Sequence, residues 1–210
     1  MTIWSPEQVY GGIALAFAGA ARHAERLNRC DAALGDGDLG ETIQRCASSL
    51  AVRGAEVPKT VGAALRQASV KVASGSGSSL ATVVAVGLLG AADAAGESAS
   101  IALADLPALL EAALTAVMAL GQVKRGDKTV VDGLFAISDA LPRDESDLDT
   151  RRLMSALDAE LVRLRDAPFR VGRGRVYKDA ARGIDDPGMV ALRLALAALC
   201  GVERNSPDVG

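Results

Sequence analysis

Residues 105 to 120, DLPALLEAALTAVMAL, place Leu106, Leu109, Leu110, Ala113, Leu114, Val117 and Met118 at intervals of three and four. That spacing fits one face of an α-helix and no strand, and Asp105 can cap its start. The same period returns over residues 150 to 165. There Leu153, Leu157, Leu161 and Leu164 form a narrow stripe with Arg151, Arg152, Asp158, Arg163 and Arg165 off it, which predicts a helix with one wet face. In DDPGMVALRLALAALC, residues 185 to 200, Asp186 is a cap candidate and Pro187 suits a first helical position. Residues 5 to 29, 41 to 52, 59 to 73 and 128 to 141 also read as helices. SLATVVAVGLLGAADAA, residues 79 to 95, has a Val-rich centre open to a buried strand, but its length favours a buried helix. Half the chain is hydrophobic and only 3% aromatic, so the core is built from Ala, Leu and Val, which suits closely packed helices. Seven or eight helices with short breaks around residues 54–58, 96–104, 141–149 and 166–185 predict antiparallel neighbours in one all-α domain, residues 1–210.

A net charge of -3 and scarce aromatics argue against a nucleic-acid binder. Cys30, Cys46 and Cys200 are odd in number and far apart, a pattern of reduced thiols in a cytoplasmic protein. GGIALAFAGAA, residues 11 to 21, resembles the apolar part of a signal peptide, but Glu7 and no basic residue precedes it. It reads as the first core helix. No stretch reads as apolar for long enough to span a bilayer, so no membrane is expected.

DAALGDGDLGET, residues 31 to 42, carries the chemistry. Gly35, Gly37 and Gly40 satisfy G-x-G-x-x-G, yet Asp36 and Asp38 lie between them and a helix precedes, so a dinucleotide turn fails. A calcium EF-hand fails too: counted from Asp36, the sixth position is Glu41 and the twelfth Ala47. Flanked by glycines, the carboxylates of Asp31, Asp36 and Asp38 can converge on one point, the geometry a hard cation wants. Two Mg²⁺ ions there would have positions open for phosphate oxygens, and the helix after Gly40 would offer N–H groups at its start. A plain surface turn is the alternative for this loop alone.

Three further stretches bear on the choice. ASGSGSSLATV, residues 73 to 83, can present backbone donors to an anion or simply turn. GQVKRGDKTVVD, residues 121 to 132, nearly spells a Walker sequence, but Asp127 intrudes before Lys128 and reads as a helix cap. Residues 163 to 182 hold seven basic side chains, Arg163, Arg165, Arg170, Arg173, Arg175, Lys178 and Arg182, against Asp166 and Asp179. That local excess can meet phosphate or an acidic partner, or can be a solvated face. His23, the one histidine, reads as packing or surface rather than catalysis.

In order and spacing, DAALGDGDLG, SGSGSS, GDKTVVD and GRGRVYKDAARGIDDPG resemble the nucleotide-binding L subunit of dihydroxyacetone kinases, over essentially the whole chain. The resemblance implies an antiparallel barrel of about eight helices with ADP or ATP at one end, bound through two Mg²⁺ ions. It makes Asp31, Asp36 and Asp38 the metal ligands and puts Leu39, Gly40, Glu41 and Thr42 at the nucleotide. Ser76 and Gly77 would line the same pocket, Gly121 and Val130 would lie near the base, and Arg173 with Asp186, Pro187 and Gly188 would complete it. The chain departs from the family at Leu39 and Ile184, where histidines are common. It departs also at Ser78 and Leu80, where a proline and an aromatic are common, and at Tyr177, displaced by one. The expected reaction is phosphoryl transfer to a ketose held on a partner K subunit. The donor is either exchangeable ATP or a resident ADP recharged by a phosphotransferase-system M-type subunit, and a homodimer is compatible with such a chain. Three other readings stay open: a kinase subunit for a tetrulose or other short ketose, a non-catalytic Mg-nucleotide sensor that binds a regulator, and a metal-dependent phosphatase.

Overall fold

Polar caps fix where the rods begin. Ser5 accepts from the Gln8 N–H while Gln8 Oε1 accepts from the Ser5 N–H, and with Pro6 in the first turn they open α1 (Pro6–Ala21). Thr60, Ser78, Thr129, Asp149 and Asp186 cap α4 (Val61–Gly75), α5 (Ser79–Ala95), α7 (Val130–Ala140), α8 (Thr150–Leu164) and α9 (Pro187–Leu199) by the same side-chain-to-backbone bond. With α2 (Ala24–Ala32), α3 (Leu39–Ala51) and α6 (Leu106–Gly121) they make nine α-helices among the described residues. The computed structural model describes residues 3–51, 58–142 and 147–202. The break predicted at 54–58 lies outside them except for residue 58, as do residues 143–146 of the break predicted at 141–149. Regular structure is completed by a two-residue antiparallel pair, β1 (Ile3–Trp4) with β2 (Ile101–Ala102), and by 3₁₀ turns at Leu103–Asp105 and Arg173–Ala181.

From α2 onward neighbours in sequence are neighbours in space, and α9 returns to pack on α1, closing a ring that runs through α3, α4, α5, α6 and α7. Within it α4 and α5 run antiparallel. The Val61 N–H at the start of α4 donates to the Ser98 carbonyl just beyond α5, while Ser69 further along α4 bonds Ala85. Small residues let these rods meet closely: a Cβ on Gly90 of α5 would collide with the Ala112 carbonyl of α6. The all-α expectation therefore holds, with a core in which Leu27, Leu50, Val61, Val72, Leu157 and Met189 are fully buried.

Four expectations are corrected. The helix predicted over 5 to 29 is two, because the chain turns at Arg22 and His23. The turn lets α2 leave the line of α1 and pack on α3. Asp105 does not cap α6 with its side chain but accepts from the Ala102 N–H. Asp127 is not the cap of α7 either. Thr129 is, with Asp132 bonding back to the Thr129 N–H, while buried Asp127 closes a turn by accepting from Lys124. Finally, Leu103–Gly121 forms a continuous helical run of 19 residues that by length and composition alone could cross a membrane, where none was expected. Here α6 packs along α5 and α7.

Candidate functional site

Asp31 lies in the last turn of α2, and its Oδ2 accepts from the N–H groups of Gly37 (3.0 Å) and Asp38 (3.2 Å). One carboxylate thus winds the loop that carries the other two. Gly37 has φ 74, the left-handed backbone that glycine allows without strain. Asp31, Asp36 and Asp38 each present an oxygen, all within 4.8 Å of one another. Around a six-coordinate Mg²⁺ adjacent oxygens stand about 3 Å apart and opposite ones about 4.2 Å, so this hard-oxygen set would draw inward to hold such an ion.

The cluster borders a pocket of about 580 Å³ at one end of the barrel. Its wall includes Leu39, Ser79, Val130 and Pro187, the first residues of α3, α5, α7 and α9. Four helix N-termini, with their positive dipole ends, therefore converge beside three carboxylates. Such a site suits an anion that arrives with divalent cations.

The pocket brings together Asp31, Asp38, Leu39, Thr42, Gly121, Val130, Asp186, Pro187 and Gly188 from the sequence-derived set, and Asp36 completes the acidic cluster on its exposed side. The other expected residues stand apart from its lining. The Gly40 N–H is used by Asn28 Oδ1 at 2.6 Å, so it is already satisfied within the chain. Glu41 lies 3.6 Å from Arg45 in an exposed ion pair. Ser76 Oγ is 3.4 Å from Thr42 Oγ1 and accepts from the Ser78 N–H, with Gly77 between. Arg173 opens the 3₁₀ turn, and its side chain lies outside the described residues. His23 is exposed at the start of α2 and does not line the pocket; burial first, then Arg26 and Arg22, hold its pKa below the usual value.

Sequence reasoning missed Lys128, Thr129, Phe169, Val117 and Val123 as lining residues. Lys128 and Thr129 were legible only as part of a failed Walker match, and Phe169 gave no signal. The departures from the family pattern also have places. Leu39 is buried between pocket and core, Ile184 packs on Leu34, Phe169 and Ala181, Ser78 caps α5, Leu80 lines the pocket, and Tyr177 is exposed.

Asp186 combines two tasks, lining the pocket while its Oδ1 accepts from the Met189 N–H at 2.8 Å. Burial pushes its carboxyl up to about 7; the Met189 bond opposes this, Asp132 adds to it, and Lys128 opposes it. Its neighbour Asp185 is held by Arg165 in a two-bond pair, both at 2.9 Å.

Comparison with known proteins agrees with this architecture. The DAK2 domain model matches residues 33–201. The L-erythrulose 1-kinase of Mycolicibacterium smegmatis is 29% identical over 199 residues, covering 85% of this chain and 32% of the relative. The native crystal structure of the dihydroxyacetone kinase of C. freundii superposes with a TM-score of 0.74 at 21% identity, over 93% of this chain and 34% of that one. The same enzyme in complex with AMP-PNP and Mg²⁺ gives 0.66 at 20% identity, over 97% and 35%. The chain thus spans about a third of the length of these relatives. With a match over most of its length, a shared helical fold and the aspartate loop in place, the chain belongs to the DAK2 domain family.

Proposed function

We propose that residues 1–210 act as one Mg-nucleotide-binding unit that passes a phosphoryl group from ATP, or from a resident ADP recharged by a phosphotransferase-system subunit, to a small ketose held on a K subunit. The observation that carries this reading is the convergence of Asp31, Asp36 and Asp38 at the rim of a pocket ringed by four helix starts. The acidic cluster would hold divalent ions, two in the full reading, which when bound supply charge neutralisation to a phosphate chain. The protein's own contribution is placement. Asp31 fixes the loop, the N-terminal turns of α5 and α9 face the anion, and Gly121, Val123 and Val130 leave an apolar recess of a kind that takes a base. A neighbouring fold carries AMP-PNP and Mg²⁺, which supports nucleotide and metal here.

Thermal stability with and without Mg-ADP tests the reading. A ligand that binds only the folded form adds about 2.7 kcal/mol at a hundred times its dissociation constant. The wild-type midpoint is expected to rise accordingly and Asp36→Asn to lose most of that gain. Equal responses would show the ligand to be elsewhere.

A second reading concerns the acceptor. The relative at 29% identity is named for erythrulose, a four-carbon ketose, which favours a tetrulose over dihydroxyacetone. Assays of both ketoses with matched K subunits decide between them, and nucleotide binding without turnover under any partner would point to a sensor instead.

A further inference from the structure

Lys128 is the largest fully buried side chain among the described residues, and its backbone takes φ 62, a left-handed value rare for a non-glycine residue. That turn sends the side chain inward, where it is part of the pocket wall. Its Nζ donates to the carbonyls of Arg165 at 2.7 Å and Ala167 at 2.9 Å, and lies 4.2 Å from the centre of the Phe169 ring. An ammonium satisfied in this way, by carbonyls and an aromatic face, ties down backbone as well as side chain.

The tied backbone is the stretch that follows α8. The Arg165 carbonyl also accepts from the Gly183 N–H at 3.1 Å, and the Arg170 N–H donates to the Asp127 carbonyl at 3.2 Å. Lys128 thus sits where the loop before α7, the segment 165–172 and the turn before α9 meet. Phe169, Val171 and Gly172 of that segment line the pocket, and Phe169 also packs in one buried cluster with Leu34 of the acidic loop. Burial holds the ammonium below its ordinary pKa, while Asp185, Asp186 and Asp166 favour its charge.

We infer that Lys128 is a positioning residue whose ammonium holds the 165–172 wall of the pocket against the start of α7, and thereby sets nucleotide affinity without ligating metal. The inference rests on the Mg-nucleotide reading above. It differs from a general structural role in what it predicts: loss of the ammonium loosens 165–172 and leaves the protection of α4 and α5 unchanged.

Lys128→Met in the full chain keeps a long unbranched side chain and a similar backbone cost but removes the donors and the charge. Three measurements follow: Mn²⁺ titration of the acidic cluster by electron paramagnetic resonance, Mg-ADP titration by calorimetry, and amide hydrogen exchange of the ligand-free protein. The expected result is Mn²⁺ affinity within about twofold of wild type, Mg-ADP affinity lower by roughly tenfold or more, and faster exchange over 165–172 with α4 and α5 unchanged. Unaltered Mg-ADP affinity overturns the inference. So does a parallel loss of Mn²⁺ affinity and of protection in α4 and α5, which would mean general destabilisation. If Lys128→Met does not fold, Phe169→Leu removes the ring and leaves the carbonyl bonds; faster ligand-free exchange over 165–172 with α4 and α5 unchanged supports the inference, and unchanged exchange over that segment overturns it. A wild-type protein indifferent to Mg-ADP sinks the nucleotide reading and with it the ligand named here, while the exchange comparison still decides whether Lys128 holds the wall.

Discussion

Asp186 shows how one side chain can couple the pocket to stability. Its folded-state pKa lies near 7, above the ordinary 3.8, mainly because the carboxyl is buried. From about pH 4 to about pH 7 the folded form keeps a proton that the unfolded chain has lost, so this residue makes stability fall as pH rises through that window. Asn caps a helix as well as Asp does and cannot ionise. Asp186→Asn should therefore flatten the pH dependence of the ligand-free thermal midpoint across the window and raise the midpoint relative to wild type at about pH 8. Scans at both ends check it, and an unchanged slope would count against the cause. The acidic cluster itself was legible in the sequence because its three carboxylates lie within eight residues and glycines separate them. Asn28, which satisfies the Gly40 N–H, and Phe169, which faces Lys128, were not, since each contact joins segments that only the fold brings together.

At the scale of elements, the register of α2 against α3 decides whether the acidic loop can form. Gly40 in the first turn of α3 lies so close to α2 that a Cβ would collide with the Ala24 carbonyl and neighbouring backbone. The obstacle is main chain rather than a side chain that can swing away, so α3 would have to move. Gly40→Ala is expected to destabilise the protein by about 1–3 kcal/mol and to weaken Mg²⁺ binding, because the shift displaces Asp38 relative to Asp31. Denaturant unfolding combined with a metal titration checks both effects; retention of full metal affinity would show that the loop tolerates the shift. Helix existence was legible from the three-and-four spacing of apolar residues. The division of residues 5 to 29 was not, because Arg22 and His23 are neither glycine nor proline and carry no breaking signal. Their turn answers to the packing of Ala24 and Leu27 in the interior. The cap of α7 was misplaced by two residues for a similar reason: Asp127 and Thr129 are both good cap types, and only the buried turn through Gly126 and Asp132 distinguishes them.

For the whole molecule, the proposed function has the ring of helices hold a nucleotide at one end and takes its acceptor from a K subunit. The purified chain with MgATP and either dihydroxyacetone or erythrulose should give no sugar phosphate, and adding a matched K subunit should start turnover. Phosphorylation by the chain alone would remove the partner requirement. The convergence of α3, α5, α7 and α9 starts on one pocket has a consequence for how such a protein diversifies. The pocket is lined by the joints, between residues 33 and 38, 76 and 78, 122 and 129, and 165 and 186, and by the helix turns that adjoin them. The shafts beyond those turns need only keep fitting one another. A lineage can therefore revise what it accepts by editing four connectors and the turns beside them at one rim, leaving the interior joinery untouched.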